Sequence, residues 1–295
     1  MKKSKKTRRS FGQNVIAVVY DFDGTLTPLP MQEYTMLPEL QLSSKKFWEE
    51  VKKETKKTKA DGMLTYMRLL IEKIEEKRTH LDKNKLQSLA KNINYYPGVK
   101  TWFDRINDYV KEKSNDKVKI KHYIISSGLK EILEGIDIKK NFERMYASEY
   151  FFDHHHVAKF PTIVINDTSK TQFLFRINKG IEDVTKSINE YMPESERAIP
   201  FSNMIYIGDG LTDVPSMTVV KMNSGFAIAV YKPNSPKSLN VCKKLVKAKR
   251  INYFAPANYG PSKKLEKRMF LILDIIISKI LFEKERFLFR SEVEN

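Results

Sequence analysis

VIAVVYDFDGTLT, residues 15–27, is an apolar run that ends abruptly in acidic residues. A continuous run rich in Val and Ile is typical of a strand buried on both faces of a parallel sheet. The run therefore predicts a central strand that ends at Tyr20. Asp21 and Asp23 would lie at its carboxyl end, and a turn would begin at Gly24.

Three further apolar runs have the same character. They span residues 120–125, interrupted by Lys121 and His122, and residues 204–207 and 226–230. Helical patterns separate the runs, and parallel strands need such crossover helices. Right-handed crossovers bring the carboxyl ends of the strands to one edge, where open α/β sheets bind ligands. We therefore predict an α/β fold with a parallel sheet, and we expect the polar residues that end the runs to converge.

The spacing of the runs also predicts the domain organisation. Residues 29–96 carry helical periodicity and many lysines, and a crossover rarely needs that much chain, so we expect a small helical cap inserted after the first strand. The α/β core would comprise residues 13–28 and 97–260. Residues 1–12 are a basic tail that we expect to be flexible. Residues 261–295 predict one or two amphipathic helices that pack on the core.

The composition favours a globular protein in a reducing compartment. Of the 295 residues, 41% are hydrophobic, which is too apolar a balance for a disordered chain. The single cysteine, Cys242, excludes a disulfide framework and a cysteine zinc cluster. No secretory signal is visible, and the most apolar window, residues 269–282, is too short to span a bilayer. We expect a cytoplasmic protein with no membrane partner.

The formal net charge of +17 admits more than one interpretation. Six of the positive charges lie in the tail, at Lys2, Lys3, Lys5, Lys6, Arg8 and Arg9. A nucleic acid or an anionic membrane surface would attract such a chain. A lysine-rich proteome together with an anionic substrate is the other explanation, and the one we favour. The sequence has no zinc-finger spacing, no RNA-binding signature and no heptad zipper, so a nucleic-acid partner stays an alternative only.

Asp21 and Asp23 carry the strongest chemical signal. In an extended segment, carboxylates at positions i and i+2 share a face, and a turn at Gly24 can bring both to one small site. One carboxylate can attack an electrophilic phosphorus while the other, kept protonated, donates a proton to the leaving oxygen. Taken by itself, the string DFDGT at residues 21–25 would also fit an ordinary turn or a calcium-binding loop.

A second acidic cluster follows the third apolar run, in GDGLTD at residues 208–213. Asp209 and Asp213 suit a hard cation such as Mg²⁺. Helix capping by Asp213 after a glycine-rich turn is the structural alternative. Because an acidic cluster follows each of two predicted strands, helix capping alone does not explain both clusters.

Two further candidates are a hydroxyl and a lysine. Ser126 ends the second run, where it can donate a hydrogen bond to a phosphate oxygen or simply cap a helix. A cation is needed to lower the repulsion between the attacking carboxylate and the phosphate. We favour Lys170, at the predicted start of a helix, over Lys179. The chain has 53 Lys and Arg residues, so residue type does not decide between them.

Taken in order, these residues resemble the motifs of the haloacid dehalogenase superfamily of phosphatases, over roughly residues 15–230. Asp21, Asp23, Gly24 and Thr25 match the first motif, Ser126 the second, Lys170 or Lys179 the third, and Asp209 with Asp213 the fourth. The resemblance implies a Rossmann-like core. The position and helical character of the cap look like those of the phosphoserine phosphatase-like subgroup.

The resemblance also implies an aspartyl-phosphate mechanism, with Asp21 as the nucleophile and Asp23 as the general acid that then activates water. Mg²⁺ would be held by the Asp21 carboxylate, the Asp23 backbone carbonyl and Asp209, with Asp213 supporting through water. We therefore expect a Mg²⁺-dependent phosphatase of a small phosphorylated metabolite. The alternatives are a phosphomutase, and a polynucleotide end-phosphatase or other nucleic-acid-associated protein. Glu33 and Arg68 are candidates for contacting the substrate.

Overall fold

The apolar run at residues 15–20 forms the central strand of the sheet. The computed structural model describes residues 11–79 and 81–293, and within those ranges seven strands form one sheet. The strands are β1 (Val15–Tyr20), β2 (Lys119–Leu129), β3 (Arg144–Phe152), β4 (Ala158–Ile163), β5 (Met204–Gly208), β6 (Phe226–Tyr231) and β7 (Tyr253–Pro256). Their order is β4-β3-β2-β1-β5-β6-β7, and only β4 runs antiparallel to its neighbour. The predicted α/β fold with a parallel sheet is confirmed.

Helices cover both faces of the sheet. Along the described chain they are α1 (Met31–Tyr34), α2 (Met36–Glu39), α3 (Ser44–Thr58), α4 (Gly62–Glu76), α5 (Lys83–Leu89), α6 (Val99–Ser114), α7 (Lys130–Leu133), α8 (Lys170–Lys179), α9 (Val214–Met222), α10 (Pro236–Lys247) and α11 (Lys264–Val293). Ile16 and Val18 of β1 pack in one core with α6 and α11, whereas Ala17 and Val19 pack in a second core with α8, α9 and α10. This double burial is why β1 is apolar at every position.

The insertion between β1 and β2 contains α1 to α5 and then leads into α6. Asp61 begins α4, because its Oδ1 accepts hydrogen bonds from the backbone N–H groups of Met63 and Leu64. The ends of the insertion meet beside β1, where the N–H of Tyr96 donates to the carbonyl of Leu26 over 2.9 Å. The insertion therefore starts and finishes next to the turn that follows Asp21.

Several predicted boundaries differ from the structure. β2 continues through Ser126 to Leu129, beyond the predicted end of the second run. The C-terminal region forms a single helix, α11, which agrees with the prediction of one or two helices. Most of the basic tail, residues 1–10, lies outside the described residues. None of the described helices is both long enough and apolar enough to cross a membrane.

Candidate active site

The carboxyl ends of β1 and β5 bring the two acidic clusters together. The two strands pair in parallel, and the N–H of Asp21 donates to the carbonyl of Ile207 over 2.9 Å. The residues that follow β1 and β5, Asp21 and Asp209, therefore lie side by side. One carboxylate oxygen from each of Asp21, Asp209 and Asp213 lies within 4.8 Å of the others. The predicted convergence of these side chains is observed.

Gly24 allows the two loops to approach this closely. Its φ is +79°, a conformation that L side chains rarely adopt, and a Cβ atom there would lie 2.2 Å from Oδ2 of Asp209. The loop after β1 thus leaves a space that the Asp209 carboxylate fills. A side chain at position 24 would push that carboxylate away from Asp21.

We expect Gly24→Ala to lower the affinity of this cluster for Mg²⁺ by roughly 10-fold or more, because it would displace the Asp209 carboxylate, a candidate ligand of the cation. Calorimetric titration with Mg²⁺ measures the change. Gly210→Ala is the matched control, since its backbone is extended and a Cβ there meets nothing within 4 Å. Equal affinities in the two variants would show that Asp209 does not bind the cation.

Lys170, the first residue of α8, lies buried between two of the carboxylates. Its Nζ donates to Oδ1 of Asp21 over 2.7 Å and to Oδ1 of Asp213 over 2.8 Å, and only 2% of the residue is exposed. Burial alone would lower the pKa of Lys170, but the two carboxylates outweigh it and raise that pKa well above its ordinary value. Lys170 therefore stays charged beside Asp21.

Lys179, the other candidate lysine, is at the far end of α8. Its Nζ donates to the backbone carbonyls of Ile188 and Glu190, which belong to the loop that follows the helix. Lys179 thus stabilises that loop. Of the two candidates, Lys170 is the one that contacts Asp21.

Asp23 is hydrogen-bonded to the start of the insertion. Its Oδ1 accepts a hydrogen bond of 2.8 Å from the N–H of Met31, the first residue of α1. Burial and the charge of Asp21 raise the pKa of Asp23 to about 8. Asp23 is therefore protonated at neutral pH before any cation is bound, as a proton donor must be.

Ser126 is fully buried near the end of β2. Its Oγ accepts a hydrogen bond of 3.0 Å from the N–H of Gly128, so the hydroxyl stabilises the end of the strand; it does not cap α7, whose N-cap is Leu129. A Cβ at Gly128 would lie 2.2 Å from Cε of Met31, which shows that the insertion packs directly on this segment. The hydrogen bond from Gly128 uses the hydroxyl of Ser126 as an acceptor and leaves its hydrogen as a donor.

Comparison with known proteins identifies this set of residues. A model of the haloacid dehalogenase-like hydrolase family matches residues 18–218, a range that contains both acidic clusters, Ser126 and Lys170. The chain belongs to the haloacid dehalogenase-like hydrolase family.

This haloacid dehalogenase-like hydrolase is also similar to other known proteins. The chain is 30% identical over 283 residues to an uncharacterized protein of Borreliella burgdorferi, covering 86% of this chain and 94% of that one. Its fold is similar to that of a HAD family hydrolase, t0658, of Salmonella enterica serovar Typhi, with a TM-score of 0.57, 18% identity, and coverage of 89% and 72% of the two chains. A phosphoserine phosphatase solved as a phospho-aspartyl intermediate analogue matches with a TM-score of 0.51 and 14% identity, over 87% and 98% of the chains. At these identities the two structures show a shared fold.

The carboxylates of the haloacid dehalogenase-like site repel one another. Burial raises the pKa of Asp21 to about 6; Lys170 lowers it and Asp213 raises it again. Burial together with the charges of Asp21 and Asp213 raises the pKa of Asp209 to about 8. One lysine does not offset this many buried acids, whereas a divalent cation among their oxygens would lower both pKa values. The oxygen-only donor set fits Mg²⁺.

The insertion of this hydrolase contains a cleft of its own. The cleft has a volume of about 620 Å³, and Pro30, Glu33, Trp48 and Met63 are among the residues that line it. Glu33 is oriented by the indole N–H of Trp48, which donates to its Oε1 over 3.2 Å. Arg68, in contrast, forms exposed ion pairs with Glu54 and Glu72. Of the two candidate substrate contacts, Glu33 is the one that lines this cleft.

Three contributors to the haloacid dehalogenase-like site were not predicted. Tyr206 donates to Oδ1 of Asp213 over 2.7 Å, and Tyr259 donates to the carbonyl of Thr25 over 2.9 Å. Asp61 accepts from the side chain of Asn166, four residues before Lys170. Tyr206 lies in an apolar run and its sequence context predicts only a core residue. For Asp61, an N-cap pattern before α4 was the one available signal.

Proposed function

We propose that this chain is a Mg²⁺-dependent phosphatase that hydrolyses a small phosphate monoester through an aspartyl-phosphate on Asp21. The observation that supports it most is the setting of the Asp21 carboxylate. Lys170 contacts Oδ1 over 2.7 Å, and the hydroxyl of Thr25 donates to Oδ2 over 3.2 Å. A buried carboxylate held at both oxygens beside a fixed cation is oriented for attack on an anionic phosphate.

In the first half-reaction, an oxygen of Asp21 forms a bond to phosphorus as the bond from phosphorus to the ester oxygen breaks. Asp23 gives its proton to that leaving oxygen, so the product departs as an alcohol. The hydrogen bond from Met31 to Oδ1 leaves Oδ2 of Asp23 as the oxygen that carries the proton. Its raised pKa supports this role.

In the second half-reaction, the Asp23 carboxylate takes a proton from water. The water oxygen bonds to phosphorus, the bond from phosphorus to Asp21 breaks, and inorganic phosphate leaves. Both side chains return to their starting protonation states. Lys170 stays charged throughout and offsets the negative charge on Asp21 and the phosphoryl oxygens.

The residues that would hold Mg²⁺ are Asp21, Asp209 and the backbone carbonyl of Asp23, with Asp213 supporting them. Bound there, the cation supplies charge neutralisation for the phosphoryl oxygens. The tight packing of Asp209 against Gly24 supports this assignment, because it fixes one carboxylate where the other loop begins.

We propose that the insertion, residues 29–96, is the cap of this enzyme and that it selects the leaving group. Tyr66 of α4 donates to the carbonyl of Ser127 over 3.2 Å, so the insertion lies against the phosphate side of the site. The cleft beside Glu33 is of a size for a small metabolite. Phosphoserine is a reasonable first substrate to test, because a phosphoserine phosphatase shares the fold.

The test is phosphate release from phosphoserine, sugar phosphates, nucleotides, phosphocholine and a 5′-phosphorylated oligonucleotide, with and without Mg²⁺. Release that requires Mg²⁺ supports the phosphatase, and the preferred compound identifies the leaving group. Transfer of phosphate between hydroxyls without release would instead support a phosphomutase. Absence of both activities across the panel would contradict the proposal.

We expect Asp23→Asn to slow turnover by roughly 10²–10⁴-fold, because the same side chain serves as acid and then as base. Rapid-quench kinetics should show that both formation and breakdown of the covalent intermediate are slower. A variant in which only one of the two steps is slower would contradict the double role of Asp23.

A further inference from the structure

Asp213 is held at both of its carboxylate oxygens, and none of the residue is exposed. Its Oδ1 accepts hydrogen bonds from Nζ of Lys170 over 2.8 Å and from the hydroxyl of Tyr206 over 2.7 Å. Its Oδ2 accepts a hydrogen bond from the backbone N–H of Asp209 over 3.1 Å. Three donors therefore set the position of Asp213, and one of them, Tyr206, has no part in the reaction as described so far.

Tyr206 lies in the middle of β5 and is fully buried. Its ring packs in the core between the sheet and helices α8 and α9, which also contains Phe173 and Met217. A phenylalanine would also fill that space, and a buried hydroxyl costs free energy unless it is hydrogen-bonded. Asp213 is the partner that satisfies this hydroxyl. The hydroxyl thus connects β5 with the start of α9, at Asp213, and through Asp213 with the start of α8, at Lys170.

The end of β5 restrains the other oxygen of Asp213. A Cβ atom at Gly208 would lie 2.3 Å from Oδ2 of Asp213, so this carboxylate rests directly against the end of the strand. Tyr206 is two residues earlier on the same strand, and positions i and i+2 of a strand share a face. One strand therefore restrains Asp213 twice, through its backbone beside Oδ2 and through the tyrosine hydroxyl at Oδ1.

Lys170 depends on Asp213 for its direction. Its Nζ bridges Oδ1 of Asp21 and Oδ1 of Asp213, over 2.7 and 2.8 Å. A lysine side chain is long and flexible, so its ammonium group lies where its acceptors hold it. These two bonds leave one ammonium hydrogen for a phosphate oxygen. If the Asp213 carboxylate rotated, it would draw Nζ away from Asp21 and from the phosphate.

We propose that Tyr206 is a positioning residue for phosphoryl transfer: its hydroxyl fixes Oδ1 of Asp213, and that oxygen keeps Lys170 directed at Asp21. This inference rests on the proposed phosphatase function. A misplacement of about 1 Å in a group that orients a reaction costs roughly 10²-fold in rate. The hydroxyl acts on the lysine side of Asp213, whereas the N–H of Asp209 binds Oδ2. Loss of the hydroxyl is therefore expected to affect turnover and to leave the Mg²⁺ affinity nearly unchanged.

The test is Tyr206→Phe, which removes the hydroxyl and keeps the ring. With the best substrate of the panel, we expect kcat to fall by roughly 10–100-fold and KM to change by less than about threefold, because the lost restraint acts on the chemical step. Rapid-quench kinetics should show a matching loss in the rate at which Asp21 is phosphorylated. Calorimetric titration with Mg²⁺ should show little change in affinity.

The matched control is Tyr146→Phe. Tyr146 is buried in the same core as Tyr206, and its hydroxyl has no hydrogen-bond partner among the described residues. This variant should keep the kcat of the unmodified chain. Thermal unfolding of each variant sets an assay temperature at which all of them are folded. A hydroxyl that only stabilised the core would lower the unfolding temperature and leave the kcat of the folded chain unchanged.

The outcomes separate this inference from the proposed function. Full kcat in Tyr206→Phe, beside an active unmodified chain, would overturn the role of Tyr206 and leave the phosphatase standing. No phosphate release by the unmodified chain would contradict the proposed function and this inference with it. An equal loss of kcat in Tyr146→Phe, a loss of Mg²⁺ affinity as large as the loss of kcat, or failure of Tyr206→Phe to fold would each overturn the inference, because the hydroxyl would then serve the core, the cation or the fold.

Discussion

Asp21→Asn is expected to reduce phosphatase turnover by a factor on the order of 10⁴ or more, because it removes the nucleophile of the covalent mechanism. The amide keeps the shape of the carboxylate and can still accept the hydrogen bond from Lys170, so the fold should be retained. Steady-state kinetics on the best substrate of the panel, with circular dichroism of the same sample, measures both effects.

The control for this variant is Asp104→Asn. Asp104 is exposed on α6, outside the catalytic cluster, and its substitution should leave turnover unchanged. Substantial turnover by Asp21→Asn would contradict the covalent mechanism. A loss that is accompanied by unfolding would instead assign Asp21 a structural role.

Lys170→Met is expected to destabilise the cation-free protein by about 3–5 kcal/mol, since it leaves buried carboxylates without their cation. Lys170 contacts both Asp21 and Asp213, and all three residues are buried. Turnover should be lost as well, because the repulsion between Asp21 and the phosphate is no longer offset. Added Mg²⁺ should recover part of the stability, since a ligand that binds only the folded state stabilises it.

Lys179→Met is the matched control, on the same helix and with the same change of side chain. Its Nζ contacts only backbone carbonyls of the following loop, so a smaller loss of stability and nearly unchanged turnover are expected. Denaturant unfolding with and without Mg²⁺ compares the two variants. Equal effects on turnover would contradict the assignment of Lys170 as the lysine of the site.

The strands that sequence predicts best are those that are buried on both faces. β1, β2, β5 and β6 each contain a continuous apolar run, because helices cover them from both sides. The other three strands lie toward the edges of the sheet. β4 contains Pro161 and β7 ends in Pro256, and proline in a short run argues against a strand unless the strand is known to be at an edge. Whether a strand lies at the edge of a sheet is a property of the tertiary structure, which the sequence pattern does not show.

The residues of the candidate site also differ in how well the sequence predicts them. The meeting of Asp21 with Asp209 and Asp213 was predictable, because parallel strands place their carboxyl ends at one edge. For the lysine, the sequence favoured Lys170 over Lys179 but did not decide between them. Both lie on α8, and only the packing of that helix decides which of its ends reaches Asp21.

The exposed apolar residues of α11 show a further limit of sequence pattern. The periodicity of residues 261–295 predicted one or two amphipathic helices that pack on the core. Because α11 is apolar on two faces, only the structure shows which residues are covered and which remain exposed. Phe282 and Phe289 belong to the exposed set.

The covalent mechanism is tested most directly by mass spectrometry of the acid-quenched Asp23→Asn variant after brief incubation with a substrate and Mg²⁺. Because breakdown is slow in this variant, the covalent intermediate that forms should survive until the acid quench. With Asp21 as the nucleophile, we expect a phosphate adduct on the peptide that contains Asp21, and no adduct in the variant that also carries Asp21→Asn. Phosphate release without any adduct, or an adduct on a different peptide, would contradict it.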